Sequence, residues 1–315
     1  MADKLCSGID LFAGSKSTVN IGTTMSAFTR DVATQFILGK DYRNLDTENF
    51  NAGMTAVLQR SGAIWWVTKD IPWLGPTMKS LPLSFMEKIV DDATKYFLSF
   101  LKVRGSIAAY AAKDREDKNW RTIMDDILKS SLPPDAKTFG RISDEVGAIT
   151  GAAFKTTAHT LRQVLYHVYS NKSIIFRLRA ELSTLRENSN NDLAPLEQLP
   201  YLTAVLMEGP RLSPGVATRL ARIAPDRGLI YGKWRIPAGA PCVSSAHPQL
   251  CFRQLNPADS LAWAELYIAT AALVRRFDFQ LHEAGPKDVL CVSDQFICGT
   301  EDTGGIKALA RKVYN

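Results

Sequence analysis

Apolar residues step along much of this chain by threes and fours, the spacing of one buried helical face. Between Thr24 and Leu38, Met25, Phe28, Val32, Phe36 and Ile37 follow that rhythm, and Gly39 stands where a helix can close on a left-handed residue. Asp46 to Gly62 is a weaker helical stretch. An aromatic loop around Trp65, Trp66, Pro72, Trp73 and Pro76 separates it from a long one, Leu83 to Ala112, with Phe85, Ile89, Phe97, Phe100 and Leu101 on one stripe. Asn119 to Leu128 predicts a short helix, stopped by Pro133 and Pro134. The longest periodic segment is Ser143 to Tyr169, where Val146, Ile149, Ala153, Thr157, Leu161, Val164 and Val168 define the face. Ser143 is the expected cap, followed by Asp144 and Glu145 at the positive end of the dipole. Gly147, Gly151 and the pair Thr156 and Thr157 are poor choices for a helix interior, so a ligand is expected to approach there.

Ser173 to Leu185 continues the helical pattern. After the polar loop Asn188 to Asp192, Pro200 suits a first helical turn and Leu202, Val205 and Leu206 follow at helical spacing. Glu208 and Arg211 then share a face, three residues apart, which spacing alone reads as a surface ion pair. Beyond them the texture changes. Thr218 to Ala224, Leu229 to Ile236 and Ala240 to Ser245 are short runs broken by proline and glycine, a pattern of strands and turns. Helix returns from Asp259 to Arg275, and Phe277 to Leu281 and Val289 to Val292 are the expected closing strands.

Composition narrows the class. With 315 residues, 46% apolar and 22% charged, the chain can bury a large core. No run of about eighteen apolar residues predicts a membrane span, and the residues after Met1 lack the build of a signal peptide, so a cytoplasmic, unanchored chain is expected. Cys6, Cys242, Cys251, Cys291 and Cys298 show no zinc-type spacing and read as reduced thiols. The net charge of +6 is spread along the chain without an aromatic-laced basic patch, which argues against nucleic-acid binding.

Taken in order, Thr156-Thr157 on a long helix after small residues, Glu208-Gly-Pro-Arg211, Arg219-Leu-Ala-Arg222 and Ser260-Leu-Ala-Trp-Ala-Glu265-Leu-Tyr resemble a fungal cytochrome P450, a heme-thiolate monooxygenase of secondary metabolism. The resemblance implies a single domain over residues 1–315, mainly α with a small β region. Its parts would be a central helix at 143–170, a Glu-x-x-Arg helix at 196–213, a β region at 218–245 and a helix at 259–276. It also implies heme, a small apolar substrate and an NADPH-dependent reductase, with relatives usually held at the endoplasmic reticulum membrane on its cytosolic face. Thr156 and Thr157 take the oxygen-handling position, Glu208 and Arg211 the structural signature, and Arg222 and Arg219 a contact to a heme propionate or the pocket wall.

The departures from the pattern are specific. Lys155 replaces the family's acid and Ala153 a glycine. Nine residues before Glu265, the position of the iron-ligating cysteine holds Asn256, and no glycine occurs between Gly239 and Gly285. Cys251 is the remaining thiolate candidate. The N-terminal anchor and the heme-ligand loop are expected to be absent, giving an incomplete fold and an impaired or heme-free remnant as the alternative to an active enzyme. Pro210 is expected to interrupt its helix, since it lacks an N–H and crowds the carbonyl of Leu206.

Overall fold

The computed structural model describes residues 1–15, 17–59, 71, 73–74, 77, 80, 122–185, 192–212, 215–217, 221–243, 261–302 and 304–313. Helix α1 spans Ala2–Asp10, strand β1 Val19–Asn20 and α2 Ile21–Leu38. Residues 52–59 are also helical. Helix α3 covers Ile123–Lys129, α4 Phe139–Ser170, α5 Lys172–Leu182, α6 Leu193–Glu197 and α7 Pro200–Leu212. Strands β2 (Ala221–Ile223), β3 (Leu229–Tyr231), β4 (Trp234–Ile236) and β5 (Pro241–Val243) come next. The chain then forms α8 (Leu261–Arg276) and strands β6 (Phe277–His282), β7 (Ser293–Gln295), β8 (Ile297–Gly299) and β9 (Lys307–Lys312). The helix expected over Leu83 to Ala112 lies outside the described residues, as does most of the aromatic loop before it.

Local chemistry explains several boundaries. The Asn20 side chain caps α2 by accepting from the Thr23 N–H, and Gly39 closes it at φ 66°. Thr122 and Asp125 form a reciprocal capping box at α3. Helix α4 starts at Phe139, four residues before the expected cap Ser143, because Thr138 already supplies the extended residue at its start. The Glu181 carboxylate reaches from α5 to the start of α7, accepting from the N–H groups of Tyr201 (2.8 Å) and Leu202 (2.7 Å). These are two of the donors that no helix can satisfy internally. At the far end of α8, Arg179 donates to the carbonyls of Val274 and Phe277.

Helix α8 is the hub of the main core. Trp263, Leu266, Tyr267, Ala269, Ala271, Ala272, Leu273 and Val274 are all buried against α1, α4, α5, α6 and α7. A second cluster joins the end of α2, residues of the 52–59 helix and the first half of α4 through Ile37, Leu38, Met54, Leu58, Val146 and Phe154. The chain ends are stitched together in an antiparallel sheet ordered β1-β9-β6, with Val19 opposite Ala308 and Phe279 opposite Ala310. The remaining strands form three hairpin-like pairs, β2 with β5, β3 with β4 and β7 with β8.

Two expectations are corrected. Val289 to Val292 is not a strand: it follows a 3-10 turn over Pro286–Asp288, and pairing begins at Ser293. Only Val289 of its apolar residues is buried, and its carbonyl accepts from the Gln163 amide at 2.7 Å, while Leu290 and Val292 are exposed. Pro210 does not end α7, which continues to Leu212. So close to the helix end it costs one hydrogen bond, and its ring is buried. Gly209 shows what the tight packing there requires. A Cβ at that position would lie 2.5 Å from Val164 Cγ2 and 3.2 Å from Thr160 Cγ2, so α7 approaches α4 only because the side chain is missing. Gly209→Ala is therefore expected to cost about 1–3 kcal/mol by overpacking, read as a lower urea midpoint with unchanged slope.

Candidate functional site

Helix α4 presents different chemistry on its different faces. The Thr156 hydroxyl donates to the Ala152 carbonyl at 3.0 Å, and its side chain lies beside the backbone of Gly215, just beyond α7. Thr157 is buried and donates to the Ala153 carbonyl at 2.9 Å. It is also hydrogen-bonded to Glu265 of α8, whose carboxyl is buried. Burial drives the Glu265 pKa well above the carboxylate range, and the Thr157 bond opposes that shift. Glu265 Oε1 has no hydrogen-bond partner among the described residues. Gly147 and Gly151 lie two turns earlier, and a Cβ on either would meet nothing within 4 Å among the described residues.

The Glu208 and Arg211 side chains pair on α7, but both remain about half exposed, at 53% and 45%. Such a pair contributes about 0–1 kcal/mol, not the larger loss expected of a desolvated one. Arg222 is exposed on β2, opposite Cys242 of β5. Arg219, Cys251 and Asn256 lie outside the described residues. The structure thus brings Thr157 to Glu265 and Thr156 to the segment after α7, while Arg222 stays at the surface.

A third face of α4 was not singled out as a site by sequence reasoning. Lys155, His159 and Arg162, spaced by four and three, line a cavity of about 280 Å³ between α4, α2, the 52–59 helix and the β7-β8 pair. His159 and Arg162 are both buried. Arg162 Nη2 approaches His159 Nδ1 at 3.3 Å, so Nδ1 accepts and the ring carries its proton on Nε2. Desolvation, with Arg162 and Lys155 nearby, lowers the His159 pKa to about 3. Burial lowers Lys155 too. Beside this cavity the free Cys298 thiol hydrogen-bonds to the Cys291 sulfur, and that contact brings the Cys291 thiol down to about 7. The i, i+4, i+7 basic spacing was legible in the sequence; its burial was not.

Comparison with known proteins places the chain. The cytochrome P450 family model matches residues 1–247, and the chain belongs to that family. It is 28% identical to the N-acetyltryptophan 6-hydroxylase of Emericella nidulans over 93% of its own length and 65% of that protein's. To the conidiogenone synthase of Penicillium rubens it is 27% identical, over 89% of its length and 63% of the relative's. The chain therefore spans about two thirds of these fungal relatives. A cytochrome P450 crystal structure superposes with a TM-score of 0.71 at 16% identity, covering 99% of this chain and 72% of the other, which shows the fold. The fold is thus that of an incomplete cytochrome P450, mainly helical with small sheets.

The family implies heme, and the donor set can be tested for it. The register that the sequence resemblance sets from Glu265 would put the ligating position at Asn256, which lies outside the described residues. Among the described residues, Cys6 lies on α1 near Arg276 at the far end of α8, and Cys242, Cys291 and Cys298 lie on or beside strands. None is on α4 or at the start of α8. No described helix is long and apolar enough to cross a membrane.

Proposed function

We propose that this chain descends from a heme-dependent monooxygenase acting on a small apolar secondary metabolite with electrons from an NADPH-dependent reductase, and that as it stands it does not complete the thiolate-heme centre. Hydroxylation of the kind named for the Emericella relative is the reaction class proposed. Thr156 and Thr157 are the counterparts of the family's oxygen-handling alcohol, Glu208 and Arg211 of its structural pair, and Arg222 and Arg219 of its contact to a heme propionate or the pocket wall. Placement at the cytosolic face of the endoplasmic reticulum is proposed by the same descent. The observation that supports the second half is in the sequence: nine residues before Glu265, where the resemblance sets the iron-ligating cysteine, stands Asn256, whose carboxamide does not fit the group.

A second reading keeps activity by giving the iron a displaced ligand, Cys251, five residues before the family position. Absorption spectroscopy separates the two. Purified protein supplied with heme, reduced and exposed to carbon monoxide, is expected to show no thiolate-type band. A band present in the parent and lost in Cys251→Ser would establish the displaced ligand and overturn the reading given first.

A further inference from the structure

Two thiols meet at the β7-β8 pair. Cys291 is exposed and Cys298 buried, both are free, and the Cys298 thiol hydrogen-bonds to the Cys291 sulfur. The backbone explains how they come together. In the strand register Asp294 stands opposite Cys298 and Ser293 opposite Gly299, yet the Val292 N–H also reaches the Gly299 carbonyl, at 2.9 Å. Two residues of one strand thus oppose one of the other, as in a β-bulge. Along a regular strand the alternation of side chains would turn Cys291 away from the face that Asp294 shares with Cys298, and the extra residue turns it back. The Cys291 Sγ also lies 3.7 Å from the Ser293 carbonyl, folded along the strand toward the pair. One thiol open to solvent with a second, covered thiol in contact behind it is the arrangement in which an oxidised sulfur is captured by its neighbour as a disulfide.

We infer that Cys291 and Cys298 are a peroxide-responsive thiol pair that closes to a disulfide across the β7-β8 hairpin. The Cys291 thiolate attacks one oxygen of hydrogen peroxide and the O–O bond breaks. The departing hydroxide takes up the proton that the thiol released, so a sulfenic acid and one water result. Cys298 Sγ then attacks the Cys291 sulfur, the S–O bond breaks, and hydroxide leaves with the Cys298 proton as a second water. Two thiols are oxidised and one peroxide is reduced. A Cys291 thiol brought down to about 7 supplies thiolate near neutrality. The bond to Cys291, and after it burial, raises the Cys298 pKa; the first of these causes ends once Cys291 is oxidised, and buried Arg162 favours the Cys298 thiolate. The disulfide forms at the wall of the α4 cavity, which Cys298 lines. No heme takes part, so the pair goes beyond the reading given above and stands whichever way the carbon monoxide spectrum falls.

Mass spectrometry of the reduced, purified chain tests it. After one equivalent of hydrogen peroxide and alkylation with iodoacetamide, the number of alkylated cysteines is expected to fall from five to three. The tryptic peptide from Asp288 to Lys307, which holds both residues, is expected to be lighter by two hydrogens and to carry no alkyl group, and dithiothreitol restores both sites. Cys6, whose thiol burial pushes up to about 11, is expected to stay alkylated. In Cys298→Ser, checked for native far-ultraviolet circular dichroism, Cys291 is expected to gain oxygen instead. The parent peptide needs no variant, so it decides the matter even where the substitution fails to fold. A parent peptide that keeps both alkyl groups, one that gains oxygen at Cys291 while Cys298 stays alkylated, or a disulfide joining two chains overturns the inference. So does a folded Cys298→Ser chain in which peroxide leaves Cys291 untouched.

Discussion

His159 and Glu265 are expected to tilt stability versus pH in opposite directions, His159 costing the fold as pH falls below about 6.5 and Glu265 costing it as pH rises above about 4.5. His159 has a folded pKa of about 3 against an ordinary value of 6.5. As pH falls through 6.5, the unfolded chain takes up a proton that the folded imidazole refuses, so stability falls toward acid by about 1.4 kcal/mol per unit. Across the whole interval this sums to on the order of 4–5 kcal/mol. Glu265 has the opposite sign. Its folded pKa lies well above 4.5, so on the alkaline side of 4.5 the unfolded chain has released a proton that the folded carboxyl keeps. Stability is lost as pH rises, with the same slope. Urea denaturation of parent, His159→Gln and Glu265→Gln across pH 3.5–8 isolates the two terms, because other titrating groups cancel in the differences. Glu265→Gln is expected to gain on the parent steadily above pH 4.5, and His159→Gln to gain on it steadily below 6.5. Parallel profiles would show that neither group changes its proton affinity on folding.

Asp31→Ala is expected to cost more than about 3 kcal/mol. Asp31 is fully buried on α2 and accepts three N–H bonds from the turn that follows: Asn44 N at 3.0 Å, Asn44 Nδ2 at 2.6 Å and Leu45 N at 2.9 Å. Alanine would leave three donors in a place without water, each worth about 1–3 kcal/mol when stranded. Asp31→Asn keeps the volume and one acceptor oxygen, so it is expected to lose about half as much. The difference in urea midpoints between the two variants is the measurement. If alanine proved no worse than asparagine, the carboxylate would not be what holds this turn to α2.

The family chemistry leaves its mark on particular side chains. In the sequence, spacing read Glu208 and Arg211 as a surface ion pair and the resemblance made them the structural signature, and on α7 they are a half-exposed pair of small energetic weight. Glu265 served only to count residues, and it emerges as a buried acid bonded to Thr157. Lys155 read as the loss of a carboxylate from the α4 motif. With His159 and Arg162 beside it, the same residue lines a cavity.

What the sequence determined by itself is local. A helical face is written every three or four residues, so periodicity revealed the helical character of the chain, and the order of its motifs revealed the family. What only the tertiary structure decided involves residues far apart in the chain. Strand β1 is two residues long and acquires its meaning from β9, with Val19 paired to Ala308, a contact that no local pattern announces. Val289 is apolar because its side chain is buried in the main core, not because it belongs to a strand. Gly209 is small because Val164 comes within reach of it. Burial is a property of the packed whole, and with it come the raised pKa of Glu265, the lowered pKa of His159 and the buried donors of His159 and Arg162. Desolvation sets the charge of these groups, and residue type alone carries no record of it.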